Sequence, residues 1–224
     1  MVKPAFAPAL APLGLLGGTF DPAHKAHLAL AHAAMDELGL SGVRWIPSGR
    51  PGHRANPGTS AEHRLAMLKL ALSGESRFDL DAADALSPAT TYTINTLARL
   101  RAELGPQLPL VFIIGADQLV ALDSWRDWRR LFDTAHFAVA ERPGYPVERS
   151  SLSAELAAEL AAREAVALDG RAAGSLLHFT LPPHPISSSA IRAALAAGQS
   201  PADALPAAVL DYIHSHHLYM DSGI

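Results

Sequence analysis

The sequence predicts a doubly wound α/β fold, a parallel sheet covered by helices on both faces, and three observations carry that prediction. Short apolar runs alternate with stretches of helical periodicity. One of these runs, "LVFII" within Leu108–Ile114, is apolar throughout, as a strand buried on both faces must be. Glycine-containing turns follow several of the runs, at the strand ends where such sheets bind ligands.

The elements follow in order. Strands are expected at Leu13–Leu16, Val43–Pro47, Phe78–Asp81, Leu108–Ile114, His136–Ala140 and Leu176–Leu181. Between them, helices are expected from about His24 to Leu38, from Ala61 to Leu72, and over residues 91–104, where Ile94, Leu97, Leu100 and Leu104 recur at helical spacing. The Ala-rich stretch Ser150–Ala167, with Leu152, Leu156 and Leu160 four apart, reads as a surface helix without chemistry. A small C-terminal helical part carries Val209, Leu210, Ile213 and Leu218. The histidines of "IHSHH" in it are expected on an exposed helix end.

Composition bounds the function. The chain has 224 residues, 49% of them apolar and 18% charged, which is a globular balance. It contains no cysteine, so disulfides, thiolate zinc sites and a cysteine nucleophile are excluded. A net charge of −4 does not suit broad nucleic-acid binding, so an anionic ligand must be met by a local basic cluster. Residues 1–12, interrupted by Pro4, Pro8 and Pro12, read as a flexible leader, and residues 13–224 as a single domain. No apolar run is long enough to span a membrane, and a soluble cytoplasmic protein is expected, as monomer or homo-oligomer.

The chemistry lies in the turns. "GGTFDPAHKAH" places Gly17, Gly18, Thr19 and Phe20 after the first strand, with His24 and His27 in the first helical turn beyond. Glycines there let a ligand approach the backbone, and a helix start offers free N–H groups and positive dipole to a phosphate. Taken alone, the same residues fit a tight turn followed by two surface histidines. The motif is neither a P-loop, which needs Lys-Ser/Thr after the glycines, nor a zincin, which needs Glu between histidines four apart. "ISSSAIRAAL" supplies a second helix start with Ile186, Ser187, Ser188 and Arg192, either a plain cap or a second anion cradle.

Further candidates lie between these two motifs. The loop "PSGRPGHR" carries His53 and Arg54 and suits closure over phosphates. Gly115 and Asp117 of "IIGADQL" sit where an acid accepts ribose hydroxyls, or caps a helix. Of Trp125 and Trp128, one suits the core and the other a stacking partner for an aromatic ligand. Tyr92 and Thr93 begin a helix suited to a carboxylate or phosphate, and Arg142 follows the fifth strand.

In this order the motifs resemble those of the bacterial nicotinate-nucleotide adenylyltransferases of the nucleotidyltransferase superfamily. The family pattern GGTFDPxHxGH reads "GGTFDPAHKAH" here, and the PPH loop, SYT, IIGxD, Trp helix, RPGY and ISS-T/S-xIR elements read "RPGHR", "TYT", "IIGAD", "SWRDW", "RPGY" and "ISSSAIR". The resemblance spans residues 13–219 and implies a Rossmann-like fold. It also implies adenylyl transfer from ATP, with Mg²⁺ carried mainly by its phosphates, to nicotinate mononucleotide, giving deamido-NAD and pyrophosphate. By the same resemblance His24, His27 and Arg192 would be catalytic. Gly17, Gly18, Thr19, Phe20, Gly115, Asp117, Ile186, Ser187 and Ser188 would hold ATP. His53, Arg54, Tyr92, Thr93, Trp125 and Arg142 would hold nicotinate mononucleotide, and metal ligands are not indicated. The departures are Ala26 for the glycine of HxGH, Gly52 for a proline of the loop, and Thr91 for the serine of SYT. Alternatives are nicotinamide mononucleotide or phosphopantetheine as acceptor, and a nucleotide sensor without catalysis.

Overall fold

The structure, a computed structural model, describes residues 10–51, 59–141, 148–182 and 185–220. Its main sheet has six parallel strands: β1 (Leu13–Gly18), β2 (Gly42–Pro47), β3 (Phe78–Leu80), β4 (Leu110–Gly115), β5 (His136–Glu141) and β6 (Leu176–Thr180). In space they run β3-β2-β1-β4-β5-β6. The order reverses between β1 and β4, so the crevice beyond their carboxyl ends is the topological switch point. All six predicted strands are present, with ends moved by one or two residues. A two-residue pair, Arg50–Pro51 with Thr90–Thr91, lies outside the main sheet.

Alternation along the strands sorts the core into two layers. Leu16, Val43, Trp45, Val111 and Ile113 face α1 (Lys25–Leu38), α2 (Ala61–Ala71), α8 (Ser188–Ala196) and α9 (Ala207–Ser215). Leu15, Ile46, Phe112 and Ile114 face α4 (Thr93–Leu104), α5 (Ala116–Val120), α6 (Trp128–Leu131) and α7 (Ala154–Ala161). The short α3 (Ala83–Leu86) precedes α4. Helix α1 stops where Gly39 adopts φ +63°, a left-handed C-terminal residue that glycine takes without strain.

One expectation fails. The helix predicted over Ser150–Ala167 is only Ala154–Ala161, and it is not a bare surface element, since Leu156 and Leu160 are 0% and 3% exposed. After Ala161 the chain turns back onto the sheet edge, where Ala165 N–H donates to the Leu176 carbonyl at 2.9 Å and Leu176 N–H to the Arg163 carbonyl at 2.8 Å. Among the described residues no helix is long and apolar enough to cross a membrane.

Candidate active site

β1 delivers Gly17 and Gly18 to the switch point. A Cβ on Gly18 would lie 2.9 Å from the Phe20 ring, so any side chain there would force that ring to shift. Phe20 holds φ +50°, a conformation costly for a bulky residue. Burial compensates: Phe20 packs 5.3 Å from the Trp45 ring and 5.0 Å from that of His27. The Asp21–Pro22 peptide that follows is cis.

His24 caps α1 and is buried, with its ring stacked 3.7 Å from that of half-buried His27. His24 N–H donates to His27 Nδ1 at 3.3 Å. Neutral His27 therefore carries its proton on Nε2, the nitrogen left to donate to a ligand. Burial lowers the His24 pKa to about 4; burial, and then the His24 charge, lower that of His27 to about 3. Both imidazoles are neutral at pH 7 without ligand. They offer N–H groups rather than fixed positive charge.

The second helix start is fastened to the first. Arg192 Nη1 donates to the Asp21 carbonyl at 2.7 Å, and Ser188 Oγ donates to the Pro22 carbonyl at 3.1 Å. The N-termini of α1 and α8 thus meet at one turn. Ser187 Oγ accepts the Ala190 N–H at 3.1 Å, so the plain cap reading also holds. Its hydroxyl hydrogen stays available to a ligand. Partly exposed Ile186 packs against the core beside this turn. Gly115 ends β4, next to β1, and caps α5, its N–H donating to Gln118 Oε1 at 3.3 Å; Asp117 is exposed in that first turn.

Beside the glycine turn is a cavity walled by Ile46, Phe112, Tyr92 and Trp125, with Thr93 and Arg126 at its rim. The two tryptophans part as expected. Trp128 is buried in the core, and Trp125 lines the cavity with its ring edge-on to Phe112 at 6.3 Å. Tyr92 and Thr93 open α4, whose first N–H groups lack intrahelical acceptors. His53, Arg54 and Arg142 lie outside the described residues.

Several residues of the site have no sequence signal. Arg64 on α2 is 2% exposed and donates from Nη1 to the Thr19 carbonyl at 2.8 Å. Tyr219, far along the chain, donates from its hydroxyl to Asp21 Oδ1 at 2.5 Å. Burial, followed by the Asp21 contact, pushes the Tyr219 phenol above its ordinary range. Ser48 lines the cavity with a buried Oγ that finds no partner among the described residues. Asp84 lines it too, raised by burial and accepting from Thr96 Oγ1 at 2.5 Å. The histidines of "IHSHH" are exposed; one of them, His216, stacks on Tyr212 at 4.0 Å.

Among the described residues no cluster of three or more His, Cys, Asp or Glu side chains could hold a metal ion.

Comparisons with known proteins agree with this geometry. Residues 15–194 match the cytidylyltransferase-like family. A protein of Dechloromonas aromatica (strain RCB), named "Probable nicotinate-nucleotide adenylyltransferase", is 47% identical over 94% of this chain and 99% of its own. One of the same name from Aeromonas salmonicida (strain A449) is 45% identical over 93% of this chain and 97% of its own. The structure of Plasmodium falciparum nicotinic acid mononucleotide adenylyltransferase complexed with NaAD superposes with a TM-score of 0.69 at 19% identity, covering 93% of this chain and 97% of that one, and shares the fold. The chain belongs to the cytidylyltransferase-like family and, within it, to the nicotinate-nucleotide adenylyltransferases.

Proposed function

We infer that the protein transfers the adenylyl group of ATP to the phosphate of nicotinate mononucleotide, releasing pyrophosphate. One observation carries the reading. Two joined helix starts bearing His24, His27 and Arg192 lie at one end of the switch-point crevice, and a cavity walled by Trp125 and Tyr92 lies beside the glycine turn. The first suits a triphosphate and the second a flat ring.

A phosphate oxygen of nicotinate mononucleotide attacks the α-phosphorus of ATP in line. The new O–P bond forms as the bond to the β-phosphate bridging oxygen breaks, and that electron pair leaves with pyrophosphate. The attacking monoester has a second pKa near ~6, so it is largely ionised at pH 7 and needs no base. This agrees with imidazoles that are already neutral, that of His27 with its Nδ1 already accepting the His24 amide. His24, His27, Arg192 and the α1 and α8 N–H groups would supply donors where charge builds. Gly17 to Phe20 would shape the backbone against ATP, and Gly115 and Asp117 would hold the ribose. Ile186, Ser187 and Ser188 would complete the triphosphate cradle. Trp125 would stack on the pyridine ring, with Tyr92 and Thr93 at its carboxylate. His53, Arg54 and Arg142 keep the expected acceptor-side roles. Mg²⁺ bound to the ATP phosphates would neutralise part of their charge.

The test supplies ATP–Mg²⁺ with nicotinate mononucleotide, nicotinamide mononucleotide or phosphopantetheine, and measures pyrophosphate and dinucleotide. Product chiefly from nicotinate mononucleotide is expected. Turnover chiefly with another acceptor, or with none, contradicts the reading.

A further inference from the structure

We propose that Arg126 is a specificity-determining residue, favouring a pyridine that carries a carboxylate over one that carries an amide. The proposal rests on the acceptor assignment above. Arg126 is the one Lys or Arg among the described residues that line the ring cavity. Its guanidinium carbon lies 4.8 Å from the centroid of the Tyr92 ring, and Tyr92 is the N-cap of α4. A cation and a helix N-terminus, both positive, therefore share one rim. The Tyr92 ring, by a cation–π contact, holds the guanidinium at this rim, where its N–H groups remain able to meet an anion.

The nearby acids do not fill this role. Asp127 reaches only Nε of Arg126, at 3.9 Å, and both side chains are largely exposed, at 59% and 48%. Asp84, on the cavity wall, is occupied by the Thr96 hydroxyl at 2.5 Å and lies 3.7 Å from Arg99. The guanidinium keeps donors for a ligand.

The two acceptors differ at this point. Each has a positively charged pyridinium nitrogen. Nicotinate balances it with a carboxylate that Arg126 and the α4 N–H groups attract. Nicotinamide leaves it unbalanced, so the same guanidinium repels the ring. Arg126 thus acts in both directions, by attraction and by repulsion.

The test compares kcat/KM for the two acceptors in wild type, Arg126→Gln and Arg126→Lys. In Arg126→Gln the preference for nicotinate should fall about fivefold, the upper range for a partly exposed ion pair. The change should lie in KM, with kcat within about twofold and an unchanged unfolding midpoint. Arg126→Lys keeps the charge and should keep the preference within about twofold. In wild type the preference should shrink as salt rises. An Arg126→Gln preference equal to wild type overturns the proposal, as does a preference insensitive to salt. A wild type that does not use nicotinate mononucleotide overturns the acceptor assignment itself, a result visible before any variant is made.

Discussion

The two ends of the crevice are built by opposite means. At the phosphate end the polar groups are buried or half-buried and tied to each other. Arg64 holds Thr19, Arg192 and Tyr219 hold Asp21, Ser188 holds Pro22, and His27 holds the His24 amide. At the ring end Ile46, Phe112, Tyr92 and Trp125 form the apolar part of the wall, Ser48 and Asp84 add polar groups, and the cation at the rim is largely exposed. Fixed donors do most where charge develops in a transition state, and apolar walls do most where a ground state must be recognised. Variants of the first end should therefore change kcat, and variants of the second should change KM.

The largest effect is expected at His27. His27→Ala should lose on the order of 10²–10³ in kcat with the fold retained, as for removal of one preorganised donor. A turnover within a few-fold of wild type would remove His27 from the site. At the ring end, Trp125→Ala should raise KM for nicotinate mononucleotide about tenfold, since stacking and burial contribute ~1.4 kcal/mol or somewhat more, while kcat stays within about threefold. An equal loss in kcat would show that the two ends are not separable.

Tyr219→Phe sharpens the comparison, because it removes one tie of the phosphate end and leaves the ring in place. It should lower kcat/KM for ATP several-fold and cost about 1 kcal/mol of stability, measured by denaturant unfolding. A loss of stability with unchanged ATP kinetics would make the tie purely structural. The ring end should be indifferent, with KM for nicotinate mononucleotide unmoved.

Acid offers a subtler probe. In the unfolded chain both histidines titrate at the ordinary 6.5; in the fold they titrate at about 4 and 3. Between 6.5 and those values the unfolded state binds more protons, so stability falls as pH drops through this window and is fully present above it. His27→Asn should make that fall shallower. An acid limb of equal slope in the variant would mean that His27 is not held neutral. The smallest change is expected from Ala26→Gly: ATP KM within about threefold, and a stability loss below ~1 kcal/mol from glycine in a first helical turn.

Most of the architecture was legible because each strand declares itself locally. "LVFII" is buried on both faces as its composition requires, and Trp125 and Trp128 divide between cavity and core. The helix over Ser150–Ala167 was overextended because alanine and glutamate favour helix wherever tertiary contacts are silent. Here the backbone of 163–165 pairs with Leu176 instead. Both helix starts proposed to bind anions could be read from glycine, histidine and serine spacing. That they meet at Asp21–Pro22 could not, since nothing local links Arg192 to that turn. Arg64 and Tyr219 were invisible for the same reason: an arginine on a helix and a tyrosine near the C-terminus look like surface residues until the fold buries the one and ties the other to Asp21.

His24 and His27 are proposed to hold charge, with no bond formed to phosphorus. The most direct test follows the stereochemistry of transfer, using an ATP analogue made chiral at the α-phosphorus by sulfur and nicotinate mononucleotide as acceptor. A single in-line displacement predicts a dinucleotide with inverted configuration at that phosphorus. Retention would mean two displacements through an adenylylated side chain, and would contradict the account.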